Sequence, residues 1–148
     1  WNEHIIEEAL GIKIETARIF VTNAGCILNM HKDCIGKTQQ LRQWAINIPL
    51  DNCNYGLNQW FSEEDNDFGE ELFYSDGAAV VPKSGTQGWN VTEEHLLDTV
   101  KLIRTDVYHS CNNADNPKRR VILSMRGDIN ITWDEMVARV EEYNNRNK

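Results

Sequence analysis

The spacing of hydrophobic positions is helical at both ends of the chain and changes to an extended pattern between them. Near the start, Asn2 has the position of an N-cap and Gly11 that of a C-terminal stop. Near the end, Thr132 and Glu135 have the spacing of a capping box. The apolar residues at helical spacing are Ile5, Ile6, Ala9 and Leu10 in the first segment and Trp133, Met136, Val137 and Val140 in the second. The pattern predicts one helix at each end, both packed as outer supports.

The middle of the chain consists of short extended segments separated by turn residues. A turn at residues 23–25 follows the first of them, and no internal repeat interrupts the series. The predicted strands are residues 16–22, 26–31, 41–50, 60–61, 72–74, 78–81, 100–105, 107–111 and 119–126. Residues 93–98 are predicted as a helical turn. Short strands in this number favour a β-sandwich or a barrel.

The two faces of the predicted strand 119–126 carry different chemistry, because side chains alternate between the faces of a strand. The apolar face carries Val121, Leu123 and Met125. The other face carries Arg120, Ser124 and Arg126. We expect the first face to contribute to the core, and the polar, cationic face suits the interior of a small barrel that binds an anion. Segment 41–50 repeats this pattern, with Trp44, Ile46 and Ile48 on one face and Ala45, Asn47 and Pro49 on the other.

Length and charge narrow the classes of function. A chain of 148 residues is long enough for one domain, which we place over residues 1–148. Its apolar runs are too short to cross a bilayer. The formal net charge of −8 repels phosphate backbones and anionic lipids, so we expect neither a nucleic acid nor a membrane as partner. Much of the acidity lies in residues 62–67 and 70–71, which we interpret as a solvated loop or as a lid over a pocket.

The four cysteines contain no CxxC pair, so neither a zinc ribbon nor a redox motif is present. An even count and two Asn-x-Thr sequons, at Asn90 and Asn130, leave open a secreted, disulfide-linked β-domain that binds ligands. The chain opens with Trp1 and no leader pattern, which indicates processing or a fragment. We favour a cytoplasmic protein with free thiols.

The candidate chemistry lies in His31-Lys32-Asp33 and the distant His109. An imidazole and a carboxylate two residues apart project from the same side of an extended strand and can share a metal ion. A second imidazole from another strand completes a two-histidine, one-carboxylate set, which leaves half of an iron(II) coordination sphere open for reactants.

These residues resemble the motif of iron(II)- and 2-oxoglutarate-dependent oxygenases of the double-stranded β-helix family. The family pattern is His-x-Asp, a long interval, a distal histidine, and a basic residue about ten positions later on the next strand. Here the elements are His31, Asp33, His109 and Arg120, in that order. The resemblance extends over residues 16–127, and segments 42–50 and 102–107 resemble strands of small, uncharacterised members.

The resemblance implies a mainly β fold, a double-stranded β-helix of the jelly-roll or cupin-like barrel type, with flanking N- and C-terminal helices. It implies His31, Asp33 and His109 as iron ligands and Arg120 as the clamp on the distal carboxylate of 2-oxoglutarate, since a guanidinium holds a carboxylate with two parallel bonds. Arg119 is equally well spaced from His109, but alternation places it on the opposite face. Further cosubstrate-binding candidates are Arg126, Ser124 and Asn47.

The implied reaction consumes O2 and 2-oxoglutarate, releases succinate and CO2, and hydroxylates an unactivated C–H bond. The expected substrate is a small molecule or a protein side chain. The alternative is a cupin-like protein that binds a metal with the same ligands but does not turn over 2-oxoglutarate. We expect hydrogen-bond partners that orient the rings of His31 and His109, but the sequence does not identify them.

Overall fold

The computed structural model describes residues 4–36, 40–73, 79–82 and 89–148, and strands predominate in it. The helices are α1 (His4–Leu10) and α2 (Trp133–Arg146). The strands are β1 (Ile14–Thr22), β2 (Cys26–Ile27), β3 (Lys32–Ile35), β4 (Gln40–Leu41), β5 (Trp44–Asp51), β6 (Leu57–Trp60), β7 (Glu71–Phe73), β8 (Ala79–Pro82), β9 (Glu93–Leu96), β10 (Lys101–Arg104), β11 (His109–Asn113) and β12 (Arg120–Gly127). The prediction of a mainly β fold with a helix near each end is confirmed.

The strands form three antiparallel sheets of four strands each. The first sheet has the order β1-β12-β5-β10, the second β2-β11-β6-β9, and the third β4-β3-β8-β7. A single backbone bridge between His31 and His109 connects the start of β3 with β11 of the second sheet. Within the described residues, the strands therefore make three separate sheets and not one closed barrel.

The main hydrophobic core lies on the outer face of the first sheet, beneath the two helices. Its buried members are Ile12, Trp44, Ile46, Ile48, Met125 and Met136. Trp133 and Val140 of α2 and Leu123 of β12 pack against this cluster. The apolar faces predicted for β5 and β12 thus form the core. No helix among the described residues is long and apolar enough to cross a membrane.

The inner face of the first sheet lies opposite the second sheet. Side-chain bonds cross this gap, because Arg120 of β12 donates to Asn58 of β6 and to Cys111 of β11. The alternation predicted for β12 holds, since Ser124 also lies on this inner side while Arg119 is exposed. The four cysteines are thiols, of which Cys34 and Cys53 are buried.

Three predicted segments differ in kind from the structure, and the ends of several other strands differ by one to three residues. Predicted strand 26–31 is reduced to β2, and β3 begins after it at Lys32. Predicted strand 41–50 is divided between β4 and β5. Both breaks fall where the chain leaves one sheet and joins another. Residues 93–96 form β9 instead of a helical turn, because pairing with β6 along the sheet edge outweighs local helix propensity. Asn2, Tyr74 and Ala78 lie outside the described residues.

The N-terminus of α2 has the predicted capping box. The Thr132 hydroxyl accepts from the amide of Glu135 at 3.2 Å, and the Glu135 carboxylate accepts from the amide of Thr132 at 2.8 Å.

We expect Thr132→Ala to lower the free energy of unfolding by about 1 kcal/mol, because it removes the acceptor for an otherwise unpaired amide. Urea denaturation measures this loss. Thr132→Ser keeps the oxygen and should unfold like the parent, and equal stability of all three proteins would contradict the cap's contribution.

Candidate metal centre and adjoining cavity

His31, Asp33 and His109 converge in space although about half the chain separates them. One ligand atom of each residue lies within 4.8 Å of the others. The backbone brings them together, because the amide of His31 donates to the carbonyl of His109 at 2.9 Å and the amide of His109 donates back at 2.9 Å. The two imidazole rings are consequently neighbours, with centroids 4.5 Å apart. The three side chains form a candidate metal site.

Both histidines are held in the tautomer that suits a metal ligand. Nδ1 of His31 lies 2.7 Å from the carbonyl oxygen of Asn29, and Nδ1 of His109 lies 2.9 Å from that of Val107. Because a carbonyl oxygen only accepts, each Nδ1 carries a proton, so Nε2 is the nitrogen that holds the lone pair in the neutral form of each ring. These carbonyls, each two residues before its histidine, are the groups that orient the imidazoles, which the sequence did not identify.

The charge state of the site also suits metal binding. Burial, and then the neighbouring His31, lower the pKa of His109 to about 4, so its imidazole is neutral near pH 7. Burial alone would raise the pKa of Asp33, but the Arg126 guanidinium and both histidines outweigh it and hold that pKa below its usual value. Neutral imidazoles and an ionised carboxylate are the forms that ligate metals.

Arg126 holds the carboxylate of Asp33. Its Nε and Nη2 donate to Oδ2 at 2.9 and 2.5 Å, while Oδ1 lies 3.6 Å from Nε2 of His31. One carboxylate oxygen is therefore occupied by the guanidinium, and the other is directed at the histidines. The structure thus places Arg126, predicted to bind the cosubstrate, beside a candidate metal ligand.

We expect Arg126→Gln to weaken divalent metal binding by about 10- to 100-fold, because partners that orient a ligand typically contribute this much to affinity. Isothermal titration with Co²⁺ measures the change. Arg119→Gln, which removes the exposed arginine directly before β12, is the matched control. Equal affinity of the two variants would show that Arg126 does not orient Asp33.

A cavity of about 260 Å³ adjoins the two histidines between the first and second sheets. This is far more than the roughly 30 Å³ that one water molecule occupies in the liquid. Within the described part of the chain, five buried polar atoms in its walls lack a hydrogen-bond partner. They are Asn47 Oδ1, Asn58 Nδ2, Ser110 Oγ, Arg120 Nε and Ser124 Oγ. Buried polar groups are normally paired, so this cavity has the chemistry of a site for a polar ligand.

Arg120 is the strongest polar feature of the cavity. Its side chain is only 1% exposed, and its Nη2 donates to Asn58 Oδ1 at 3.0 Å while Nη1 donates to the sulfur of Cys111. Among the described residues no carboxylate pairs with it. A buried cation without a counter-ion is costly, and an anion entering the cavity would remove that cost.

Gly56 makes the space for this guanidinium. A Cβ atom on Gly56 would lie 2.8 Å from Cδ of Arg120 and 3.0 Å from Oδ1 of Asn113. Both distances are below normal van der Waals contact for buried atoms, so a larger residue at this position would displace the Arg120 side chain.

The structure brings the predicted site residues together in two adjoining groups. His31, Asp33, His109 and Arg126 surround the candidate metal site, and Asn47, Arg120 and Ser124 line the cavity. Arg119 lies outside, as alternation predicts. Sequence reasoning missed Asn58, Ser110 and Cys111, whose positions depend on β6 and β11 lying opposite β12. No local pattern in the sequence indicates that arrangement.

Comparison with known proteins leaves the residues themselves as the basis for a functional conclusion. No protein-family model matches the sequence, and no curated protein matches it.

Proposed function

We propose that this chain is an iron(II)- and 2-oxoglutarate-dependent dioxygenase that hydroxylates a C–H bond, built on a double-stranded β-helix. The buried, uncompensated Arg120 beside the three-residue candidate metal site is the observation that carries this proposal. A metal site alone fits many proteins. A buried guanidinium without a carboxylate partner in the adjoining cavity favours an anionic ligand there, and 2-oxoglutarate carries a second carboxylate that would meet it.

The order of the strands supports the fold in this proposal. Along the chain, β1, β5, β10 and β12 belong to the first sheet, and β2, β6, β9 and β11 belong to the second. The chain thus passes from one of these sheets to the other at nearly every step. Two facing antiparallel four-stranded sheets joined by such crossings are the plan of a jelly roll.

The donor set fits ferrous iron. Two imidazole nitrogens and one carboxylate oxygen form the facial set of non-haem iron(II) oxygenases, which leaves the remaining positions for reactants. When bound, iron and 2-oxoglutarate supply the oxidising chemistry: 2-oxoglutarate and O2 yield succinate, CO2 and a hydroxylated substrate.

The chain's own residues provide binding and orientation. The Asn29 and Val107 carbonyls fix the two imidazoles, and Arg126 fixes the carboxylate of Asp33. Arg120 would neutralise the distal carboxylate of 2-oxoglutarate, with Asn47 and Ser124 beside it as hydrogen-bonding groups. The burial of Arg120, Asn47 and Ser124 keeps water from competing for their hydrogen bonds.

The proposed substrate is a small molecule or a protein side chain, and the proposed location is the cytoplasm. The net charge of −8 disfavours a nucleic acid or an anionic membrane as partner.

The experiment that tests this function measures succinate formation from 2-oxoglutarate with iron(II) and O2, in the parent protein and in Arg119→Met. Ascorbate is added to supply the two electrons that the C–H bond of the substrate would otherwise give, so slow uncoupled turnover can be followed without a known substrate. We expect both proteins to form succinate only when iron and O2 are present. A folded parent protein that binds iron but forms no succinate would support the cupin-like alternative and contradict the dioxygenase.

A further inference from the structure

The side chains that alternate with the metal-site residues point to the opposite side of their strands. Lys32 lies between His31 and Asp33 in sequence, and Tyr108 directly precedes His109. Both are buried, at 7% and 1% exposure. Neither contributes to the proposed chemistry, yet burial of a lysine requires partners.

One carboxylate oxygen joins these two side chains. Oε1 of Glu71 accepts from Nζ of Lys32 at 2.9 Å and from the Tyr108 hydroxyl at 3.0 Å. The Lys32 ammonium also lies 4.5 Å from the centre of the Tyr108 ring. Glu63 provides a second carboxylate for Lys32 at 2.6 Å. Two carboxylates of the acidic segment, both on exposed residues, are therefore bonded to the buried Lys32 on the side of β3 away from the metal-site residues.

This contact adds to the backbone bonds that join two sheets at the metal centre. β3 belongs to the third sheet and β11 to the second. Their segments are joined by the two bonds between His31 and His109 and by the bond from the Asp33 amide to the Thr105 carbonyl at 2.9 Å. Glu71 begins β7, which is in the third sheet together with β3. Its carboxylate thus adds a side-chain connection across the boundary on which the metal site is built.

The surroundings make this connection rigid. The Tyr108 ring packs on Phe68 with centroids 4.3 Å apart, within a small apolar cluster that includes Met30 and Phe61. Burial, and then the bond to Glu71, raise the pKa of Tyr108, so the phenol keeps the proton that it donates. Burial alone would raise the pKa of Glu71, but the bonds from Lys32 and Tyr108 outweigh it and keep the acceptor ionised.

We propose that Glu71 is a positioning residue for the metal centre. Its carboxylate fixes the segment that carries His31 and Asp33 against the strand that carries His109. This inference rests on the proposed metal site, but it does not depend on the use of 2-oxoglutarate.

The test compares Co²⁺ affinity and the visible Co²⁺ spectrum at 25 °C in Glu71→Ala, Tyr108→Phe and the double variant. Glu64→Ala, at an exposed position of the same segment, is the matched control. We expect Glu71→Ala to weaken Co²⁺ binding by up to about 10-fold, the lower end of the effect of groups that bond a ligand directly. We also expect a changed spectrum, since both measurements report the ligand geometry. Tyr108→Phe keeps the ring packing, loses one bond, and should weaken binding by a smaller factor.

The double variant distinguishes a shared connection from two separate effects. If both residues act through the same bond, adding Tyr108→Phe to Glu71→Ala should weaken Co²⁺ binding no further. Parental affinity and spectrum in folded Glu71→Ala and Tyr108→Phe would overturn the positioning role, even with lower melting temperatures. Should Glu71→Ala fail to fold, Tyr108→Phe alone decides between these results. Absence of Co²⁺ binding in the parent protein would overturn the metal site itself, which is a distinguishable failure.

Discussion

Replacing His109 by alanine should abolish iron-dependent succinate formation and weaken divalent metal binding by more than about 100-fold. The loss should exceed the 10- to 100-fold expected for a residue that only orients a ligand, because one of three protein ligands is removed outright. The fold should persist, since His109 pairs with His31 through backbone atoms that alanine retains. Isothermal titration with Co²⁺ and a succinate assay measure the two losses.

His95→Ala is the control for this prediction. His95 is an exposed histidine on β9 whose ring bonds to Glu93, outside the metal site. We expect this variant to keep parental metal affinity and turnover. If His109→Ala bound Co²⁺ as tightly as His95→Ala, the assignment of His109 as a ligand would be wrong.

Arg120→Met should remove 2-oxoglutarate binding while leaving metal binding intact. Loss of a buried cation from its anionic partner costs about 3–5 kcal/mol, so 2-oxoglutarate affinity should fall at least about 100-fold. In the parent protein loaded with metal, 2-oxoglutarate at 100 times its dissociation constant should raise the free energy of unfolding by about 2.7 kcal/mol. In Arg120→Met this increase should disappear.

For the protein without 2-oxoglutarate, we expect Arg120→Met to have a different effect on the free energy of unfolding. Because Arg120 is buried without a carboxylate partner among the described residues, Arg120→Met should leave the ligand-free protein at least as stable as the parent. Denaturant unfolding with and without 2-oxoglutarate measures both effects. Arg119→Met changes the neighbouring exposed arginine in the same way and should show the parental response. An equal effect of 2-oxoglutarate on Arg120→Met and on Arg119→Met would contradict the clamp.

Local patterns in the sequence predict those parts of the fold that depend on near neighbours. The capping box of α2 follows from Thr132 and Glu135, three positions apart. The alternation along β12 places Arg120 inside and Arg119 outside, because a period of two is imposed by the backbone itself. The apolar face of β5 is predicted for the same reason.

The remaining features depend on which strands meet, and local pattern does not contain that information. Lys32 alternates with two candidate ligands, which predicts its direction but not its partner Glu71, 39 positions away. Arg126 shares the predicted face of Arg120, which made it a candidate for the cosubstrate, yet it bonds to Asp33 because β3 passes close to the end of β12. The strand at residues 93–96 has helix-forming residues and takes its conformation from β6.

The central claim is that three side chains hold one ferrous ion while Arg120 holds the far end of 2-oxoglutarate in the adjoining cavity. Anaerobic titration of the protein with iron(II) and 2-oxoglutarate, followed by visible absorption, tests it most directly. We expect a weak charge-transfer band that forms only when iron(II) and 2-oxoglutarate are both added. The band should persist in Arg119→Met and be lost in His109→Ala and Arg120→Met. A folded parent protein that shows no band with both additions present would contradict it.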